Sequence, residues 1–222
     1  MKYKRVTYKE SKSIRSFGHE IINELRIAFK DKYRFAHRLV GSAKWNTILK
    51  DENGWWDLDF QLLLTKKSNE YKINKLSNPT IIKNDFFNYL NNKYKDNHNY
   101  EIQNSTTAIT IVNKETKFSI DIVIIRLFPN NEEIIRRNNK DDSGVNEYTW
   151  NKLNKNNNAY SKYKSLPNKE KVWLIENKIL PRKIKEKSKN ENDPTKLSSS
   201  EAFIVEVNNY VVKRRNNWLW RI

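Results

Sequence analysis

The chain has 222 residues, a formal charge of +17 at pH 7 and no cysteine, which excludes disulfide bonds and cysteine-ligated zinc sites. It contains no apolar run near the roughly 20 residues of a membrane span and no signal-peptide core at its N-terminus, so we expect a cytoplasmic protein without a membrane span. The charge predicts a polyanionic partner such as nucleic acid, nucleotides or an acidic membrane surface, although a solvated lysine-rich surface explains it equally well.

The first predicted element is a long amphipathic helix. Apolar residues recur at helical spacing from Ser11 to about Tyr33, and Ser11 or Ser13 can cap its start. This helix is predicted to lead directly into Gly41-Ser42. The glycine lets backbone N–H groups approach a phosphate, the serine adds a hydroxyl donor, and a short helix after the pair would favour an anion at its N-terminus.

An alternating run follows, in which Asp57 and Asp59 interrupt an otherwise apolar strand. Residues two apart in a strand share a face, so both carboxylates point the same way. Two like charges in apolar surroundings are unfavourable, and a hard divalent cation removes their repulsion. The pair therefore predicts a metal site, with a solvated strand edge as the simpler alternative.

The middle of the chain contains a polar linker at residues 66–76 and then a helix. Asn78 can cap this helix, Pro79 suits its first position, and apolar spacing continues to about Tyr94.

Two strands, at residues 105–112 and 118–127, predict a β-hairpin. Alternation in the second strand places Asp121 on the face opposite Ile120 and Ile122. Asp121 is the best candidate for a third acid beside the earlier pair.

Three motifs taken together resemble a known family, namely Val40-Gly41-Ser42, Asp57-Leu58-Asp59-Phe60 and Ile120-Asp121-Ile122. They are similar to the motifs of the nucleotidyltransferase superfamily typified by DNA polymerase β. The resemblance implies an α+β protein with the nucleotidyltransferase fold, a mixed β-sheet flanked by helices and followed by a small helical region.

The resemblance also implies the site. The candidate catalytic and metal-binding residues are Asp57, Asp59 and Asp121, which would hold Mg²⁺, with Mn²⁺ as an alternative. The candidate nucleotide-binding residues are Gly41, Ser42, Lys44 and Asn46. The last two are included because they follow the turn closely enough to help bind phosphate.

We predict two regions, residues 1–130 as the catalytic core and residues 131–222 as a basic, mainly helical C-terminal region. Helical patterns are predicted around Tyr148 and again from Asn168, where Pro181 would stop the helix.

The last helix is predicted to begin near residues 198–200, with the sequence LSSSEAFIVEV. This start resembles a Ser-aromatic-apolar-apolar-Glu signature in the branch of the superfamily that includes cyclic GMP–AMP synthase and oligoadenylate synthase. In that branch a helical region closes over the nucleotide, and the resemblance implies the same for this region.

Basic residues crowd the segment before the last helix, at Arg182, Lys183, Lys185, Lys187 and Lys189. They are candidates to hold either the triphosphate tail of an NTP or the phosphates of an RNA acceptor.

Three functions fit these observations. The first is transfer of NMP from an NTP to a hydroxyl acceptor, for example an RNA or tRNA end, which the high charge favours. The second is synthesis of a cyclic or short oligonucleotide signal, which the long first helix and the start of the last helix favour. The third is a basic RNA-binding module with an inactive transferase fold, which the presence of all three acids argues against.

Overall fold

The computed structural model describes residues 2–65, 78–128, 131–140, 146–153 and 157–219. The predicted polar linker at residues 66–76 lies outside these ranges. Among the helices within them, none is both long and apolar enough to cross a lipid bilayer.

Helix α1 spans Tyr8–Ala28 and begins about one turn before the predicted start. Its cap is Thr7, whose hydroxyl accepts from the Glu10 N–H at 3.2 Å while the Glu10 carboxylate accepts from the Thr7 N–H at 2.7 Å. The prediction of Ser11 or Ser13 as the cap is wrong, because both lie inside the helix.

Strand β2, Arg34–Val40, separates α1 from Gly41. The prediction of a helix that continues to Tyr33 and leads directly into Gly41 is therefore wrong. The segment pairs along its whole length with a neighbouring strand, and this tertiary pairing decides its conformation over local periodicity.

The main sheet has seven strands in the described chain. In spatial order, five of them are β2, β4 (Trp56–Thr65), β7 (Phe118–Leu127), β6 (Ala108–Asn113) and β5 (Tyr100–Asn104). The β4–β7 pair is parallel and the others in this series are antiparallel, so the predicted hairpin is confirmed as β6–β7. A small separate sheet pairs β1 (Lys4–Arg5) with β3 (Leu49–Lys50).

Helix α3 forms as predicted and spans Pro79–Tyr94. The Asn78 side chain caps it by accepting from the Thr80 N–H at 3.0 Å. Phe86 of α3 packs edge-on against Phe35 of β2, with ring centroids 5.6 Å apart.

The two long helices cover one face of the sheet. Phe60 and Ile120 are fully buried beneath Gly18 of α1, and Phe35, on the same side, meets α3. Residues that alternate with these, including Asp59 and Asp121, face the opposite side. The sheet therefore has an apolar face under α1 and α3 and a polar face that carries the acids.

The sheet continues beyond residue 130. Strand β8 (Glu132–Lys140) pairs with the end of β7, and β9 (Asn146–Lys152) pairs with β8. The helix predicted around Tyr148 is wrong, because Tyr148 lies in β9 and is buried in the main core beside Ile135 of β8. Two strands of the sheet thus come from the region predicted as mainly helical.

The described chain ends in helices α4 (Asn157–Ser165), α5 (Asn168–Leu174), α6 (Leu180–Lys187) and α7 (Ser199–Leu219). The predicted start of the last helix is confirmed. A π-helical segment, Ile175–Ile179, joins α5 to α6 without a break, so the prediction that Pro181 stops the helix is wrong. Proline lacks an N–H and crowds the preceding turn, and a wider turn placed directly before it accommodates both constraints.

A second hydrophobic core lies among these helices and receives side chains from the first part of the chain. The Trp45 ring stacks on Tyr160 of α4 and on Phe203 of α7, with both centroids at 5.5 Å. Leu49 of β3 is buried in the same cluster. These contacts join the helices to the sheet region.

Replacing Gly18 by alanine tests the packing of α1 on the sheet. A Cβ at this position would lie 2.6 Å from Phe60 Cε2, and Phe60 is fully buried, so neither group has room to move. Alanine is favoured over glycine in a helix by about 1 kcal/mol, but overpacking a core costs about 1–3 kcal/mol. We expect Gly18→Ala to lower the melting temperature and to reduce the free energy of unfolding by about 1 kcal/mol.

The matched control is Ser16→Ala, at an exposed position of the same helix, which should leave the melting temperature unchanged or slightly higher. A more stable Gly18→Ala protein would show that the Phe60 ring moves aside freely.

Candidate active site

The turn at Gly41 packs against the side chain of one of the acids, Asp59. Val40 pairs with Asp59 across β2 and β4, which brings the Gly41 backbone onto the Asp59 carboxylate. A Cβ added to Gly41 would lie 1.9 Å from Asp59 Oδ2, and the residue has a left-handed φ of 60°. Both features require glycine.

The loop after this turn contains the short helix α2, Gly41–Lys44. The Ser42 carbonyl accepts from the Thr47 N–H at 2.9 Å, and Asn46 adopts a left-handed φ of 55°. Arg15 of α1 donates to a backbone carbonyl of α2 at 2.8 Å. The loop is thus held by its own backbone and by α1.

The four predicted nucleotide-binding residues separate into two pairs. Gly41 and Ser42 line a cleft, whereas Lys44 and Asn46 are exposed and outside its lining. The Asn46 side chain accepts from Arg15 at 3.4 Å, which gives it a structural role in the turn.

Asp57, Asp59 and Asp121 lie on the polar face of the sheet. The parallel register of β4 and β7 pairs Asp59 directly with Asp121, so their strands are about 4.8 Å apart at this point. Thr110 of β6 is opposite Asp121 and donates its hydroxyl to Asp121 Oδ1 at 2.6 Å. The three carboxylates are neighbours in space, as the alternation in both strands predicts.

Burial and proximity change how these acids ionise. Burial, together with the charges of Asp57 and Asp121, raises the pKa of Asp59 to about 7, while Lys183 opposes the shift. Burial also raises the pKa of Asp121, although the hydrogen bond from Thr110 acts in the other direction. Near neutral pH the cluster therefore retains a proton that a bound cation would displace.

The donor set suits a hard divalent cation, because Mg²⁺ prefers carboxylate oxygens. Within the described ranges, no three Asp, Glu, His or Cys side chains are drawn together around one point. Mutually repelling carboxylates are not expected to converge without a cation, and here Asp121 turns to Thr110 while Asp59 lies against Gly41. The acids fit the ion in chemical type, and their convergence on one ion stays a prediction.

A buried lysine links the helices to the loop. Lys183 of α6 is 2% exposed, and its ammonium donates to Ser42 Oγ at 2.9 Å, to the Thr47 carbonyl at 2.7 Å and to Thr47 Oγ1 at 3.2 Å. Burial lowers its pKa to about 8, although Asp57 and Asp59 favour the charged form. All three hydrogen-bond partners are neutral oxygens, so these bonds leave the positive charge of Lys183 without neutralisation.

The other basic residues at 182–189 do not form one exposed surface. Arg182 and Lys189 make ion pairs with the buried Glu186, at 3.0 Å and 2.7 Å. These two cations therefore stabilise α6 and the turn after it.

Lys187 lines the cleft and lies 5.6 Å from the centre of the Tyr3 ring. Lys185 is the one member of the predicted basic set that is exposed. The five side chains face different surroundings, and their contact with RNA stays a prediction. The alternative role, binding a triphosphate, stays open for Lys183 and Lys187.

A cleft of about 320 Å³ lies between the sheet region and the helices. Its lining comes from both, namely Gly41, Ser42, Trp45, Thr47, Leu49, Asp57, Asp59, Tyr160, Lys183, Lys187, Ser198, Ser199, Ser200 and Phe203. Asp121 is one strand further on and outside this lining. At the start of α7, Ser198 accepts from the Glu201 N–H and the Glu201 carboxylate accepts from the Ser198 N–H at 2.8 Å, which fixes the serines in the cleft.

Three features of this site are absent from the sequence analysis. The first is the aromatic wall of Trp45, Tyr160 and Phe203, whose members are far apart in the chain and meet only in the folded protein. The second is the burial of Lys183. Its signal was present, because Lys183 falls at helical spacing from the buried Leu180 and so belongs to the apolar stripe of α6.

The third feature is Lys83 of α3, which is fully buried. Its ammonium has no hydrogen-bond partner in the described part of the chain and lies 5.5 Å from the centre of the Tyr148 ring. Burial lowers the pKa of Lys83 to about 7, Arg137 lowers it further, and Asp121 opposes the shift. A lysine thus contributes to the field at Asp121 from the helix side of the sheet.

No protein-family model matches the chain, and no curated protein matches its sequence. Solved structures match its fold. CdnE cyclic dinucleotide synthase of Elizabethkingia meningoseptica, with GTP and Apcpp, superposes with a TM-score of 0.58 at 14% identity, covering 92% of this chain and 71% of that one. The STING-associated CdnE c-di-GMP synthase of Capnocytophaga granulosa gives 0.56 at 18% identity, covering 92% of this chain and 61% of that one.

DncV of Escherichia coli, in its 3′-deoxy GTP bound form, gives a TM-score of 0.57 at 15% identity, covering 80% of this chain and 46% of that one. The chain thus spans 46% and 61% of the lengths of DncV and the Capnocytophaga enzyme.

The chain has the fold of these nucleotidyltransferases, which confirms the predicted α+β class and the predicted nucleotidyltransferase fold. Its arrangement of sheet and helices is similar to that of the cyclic dinucleotide synthases DncV and CdnE.

Substituting Asp59 by asparagine tests the electrostatics of the acid cluster. The pKa of Asp59 rises from 3.8 to about 7 on folding, so the folded state binds a proton more tightly than the unfolded state does. Wild-type stability should therefore fall as pH rises from about 4 to about 7, and asparagine should remove this loss. At about 1.4 kcal/mol per pKa unit, the gain of Asp59→Asn at pH 8 has an upper bound of about 4 kcal/mol.

Denaturant unfolding at pH 4, 6 and 8 without divalent cations measures this difference. The control is Asp96→Asn, at an exposed position after α3. The difference in stability between this variant and wild type should not vary with pH. A constant difference between wild type and Asp59→Asn across this range would contradict the coupling.

Proposed function

We propose that the chain is an NTP-dependent nucleotidyltransferase that joins nucleotides into a cyclic or short oligonucleotide. The observation that carries this proposal is the cleft in which Ser42, Lys183 and the serines of α7 lie beside Asp57 and Asp59. Phosphate-binding groups and carboxylates within one cleft suit a triphosphate held for attack at its α-phosphorus. Two similar proteins support this choice of product. CdnE of E. meningoseptica is a cyclic dinucleotide synthase, and CdnE of C. granulosa is a c-di-GMP synthase.

The donor nucleotide would bind between the loop and the helices. The Lys183 ammonium exchanges its neutral oxygen partners for phosphate oxygens, and Ser42 offers its hydroxyl. A phosphate also raises the pKa of Lys183 from about 8 and keeps it charged. Lys187 and the hydroxyl groups of α7 line the same cleft and can bind the remaining phosphate oxygens.

The reaction would take place beside the acids. A bond forms between the acceptor hydroxyl oxygen and the α-phosphorus, the bond from that phosphorus to the bridging oxygen breaks, and pyrophosphate leaves. Asp57, Asp59 and Asp121 would hold Mg²⁺, which supplies charge neutralisation and acidifies the attacking hydroxyl when bound. The acceptor hydroxyl gives its proton to solvent water in the cleft, because carboxylates that hold the cation cannot also take up a proton.

A nucleotide acceptor fits the structure better than an RNA end. Binding of RNA needs several exposed cations along a groove, because its affinity comes from phosphate contacts. Of the five cations at residues 182–189, Lys185 alone is exposed, while Arg182 and Lys189 are paired with Glu186. The cations closest to the acids line a cleft of about 320 Å³, which suits a nucleotide.

Incubating the protein with labelled NTPs and Mg²⁺, with and without total RNA, tests the function. We expect short or cyclic oligonucleotide products that form without RNA and disappear in Asp57→Asn and Asp121→Asn. Label that appears only in RNA would favour the RNA-end transferase. The absence of any transfer under both conditions, together with no NTP binding, would overturn the proposed function.

A pair of lysines on the same helix offers a sharper test. Lys183→Gln keeps the hydrogen bonds to Ser42 and Thr47 feasible but removes the charge, so NTP affinity should fall by about 10–100-fold, as for the loss of a charge-assisted bond. Lys185→Gln removes an equal charge from the exposed face of α6 and should leave affinity unchanged. Calorimetric titration with a non-hydrolysable NTP measures both, and equal effects would show that bulk charge, not the Lys183 contact, determines binding.

A further inference from the structure

A pair of cations lies where helix α3 packs on strands β8 and β9, away from the cleft. Lys83 of α3 is fully buried, and its ammonium lies 5.5 Å from the centre of the Tyr148 ring. Arg137 of β8 pairs with Tyr148 of β9, and its guanidinium carbon lies 5.7 Å from the centre of the same ring. One aromatic ring therefore has two cations beside it, and neither cation lines the cleft.

The surroundings of this pair contain more hydrogen-bond donors than acceptors. In the described part of the chain, Lys83 Nζ and Arg137 Nε are both shielded from solvent and have no partner. The acceptors beside them are in use, because Arg137 Nη2 donates to the Asn104 carbonyl and, at 3.3 Å, to Tyr148 Oη, which itself donates to Asn104 Oδ1 at 2.9 Å. Trp150, on the same face of β9 as Tyr148, has a further buried N–H without an acceptor.

No carboxylate in the described ranges neutralises the two cations. None of the ion pairs there includes Lys83 or Arg137. The acid whose charge acts on Lys83 is Asp121, which is on the opposite face of the sheet and accepts its hydrogen bond from Thr110. A buried cation without a counter-ion is strongly unfavourable, and a second cation close by adds repulsion.

We propose that Lys83 and Arg137 hold a small monovalent anion, of the size of chloride or bromide, between α3 and strands β8 and β9. Such an ion accepts from the buried N–H groups that lack a partner and offsets both positive charges. Water fits this place less well, because it brings O–H donors of its own and the acceptors here are already in use. The full burial of Lys83 excludes a nucleotide or a polyphosphate.

The ion would stabilise the fold and takes no part in nucleotide transfer. Helix α3 already contacts β9 through the Thr80 hydroxyl, which accepts from the Tyr148 N–H at 3.0 Å. An anion bound to Lys83 and Arg137 adds a second link between α3 and the two strands. The attachment of β8 and β9 to the rest of the sheet region should therefore depend on the halide concentration, whether or not the cleft binds NTP.

Thermal unfolding in sodium chloride and in sodium gluconate, at equal ionic strength, tests the site. Gluconate is too large to enter a fully buried position. By mass action, each tenfold rise in chloride above its Kd should raise the melting temperature of the wild type by about 3–6 °C, and bromide should act as chloride does. Equal melting temperatures in chloride and gluconate would show that Lys83 is buried without an anion and would overturn the proposal.

The variant Lys83→Met keeps an unbranched side chain of similar length and removes the charge, so its melting temperature should not respond to the exchange of chloride for gluconate. The matched control is Lys95→Met, at an exposed position directly after α3. It removes the same charge and should keep the wild-type response. A response that survives in Lys83→Met, or that the control loses equally, is a general effect of salt and overturns the proposal.

Anomalous scattering from wild-type crystals grown in bromide locates the ion directly, and it decides the question even if Lys83→Met does not fold. We expect a bromide ion within hydrogen-bond distance of Lys83 Nζ and Arg137 Nε. Crystals that hold bromide only at surface positions would show that any halide response comes from an adventitious ion only, and would overturn the proposal.

Discussion

The contact on which the site depends is the bond of one buried ammonium to the loop beneath the acids. Lys183 donates to Ser42 and Thr47, and it is the hydrogen-bonded link from α6 to the Gly41 turn. A buried cation with neutral partners is electrostatically unfavourable, because desolvation is only partly offset. Its nearest compensation is the field of Asp57 and Asp59, which themselves repel each other.

This arrangement couples two unfavourable features so that each reduces the other. Without the acids, the Lys183 ammonium would deprotonate more readily, and without Lys183 the pKa of Asp59 would rise further. In the proposed function, a triphosphate with a divalent cation would supply the charges that both groups lack, a negative one for Lys183 and a positive one for the acids. Binding of this substrate would therefore reduce the unfavourable electrostatic energy of both groups.

The aromatic wall of Trp45, Tyr160 and Phe203 also connects the loop after Gly41 to the helices. Trp45 follows α2 directly and packs against Tyr160 and Phe203 of the helices, so the loop that contacts Asp59 is joined to them. Aromatic stacking of this kind contributes about 0.5–1.5 kcal/mol per pair beyond its buried area. The position of the loop relative to the helices thus depends on Trp45, with Lys183 as the polar counterpart.

The parts that sequence predicts well are those with strong local periodicity. The alternation around Asp59 and Asp121 indicates which face each carboxylate occupies, and the cap at Asn78 and the start of α7 are local signals of the same kind. Strands β2, β8 and β9 were missed because their residues are polar or mixed, and neighbouring strands determine their conformation. The π-helical turn before Pro181 is likewise not predicted from local sequence, because a proline normally ends a helix and here the wider turn accommodates it.

The net charge illustrates why a global quantity does not locate a site. A formal charge of +17 predicts a cationic surface, and the dense basic run at residues 182–189 is a natural candidate for it. In the folded chain that run is divided by helical geometry, since positions three or four apart share a face and neighbours do not. Lys183 therefore turns inward to Ser42 while Lys185 turns to solvent. The charged groups that act on Lys183, such as Asp57 and Asp59, are far from it in sequence, and the fold rather than the spacing brings them into one cleft. Binding of a polyanion depends on such local fields, whose strength falls off within about 10 Å at ordinary salt.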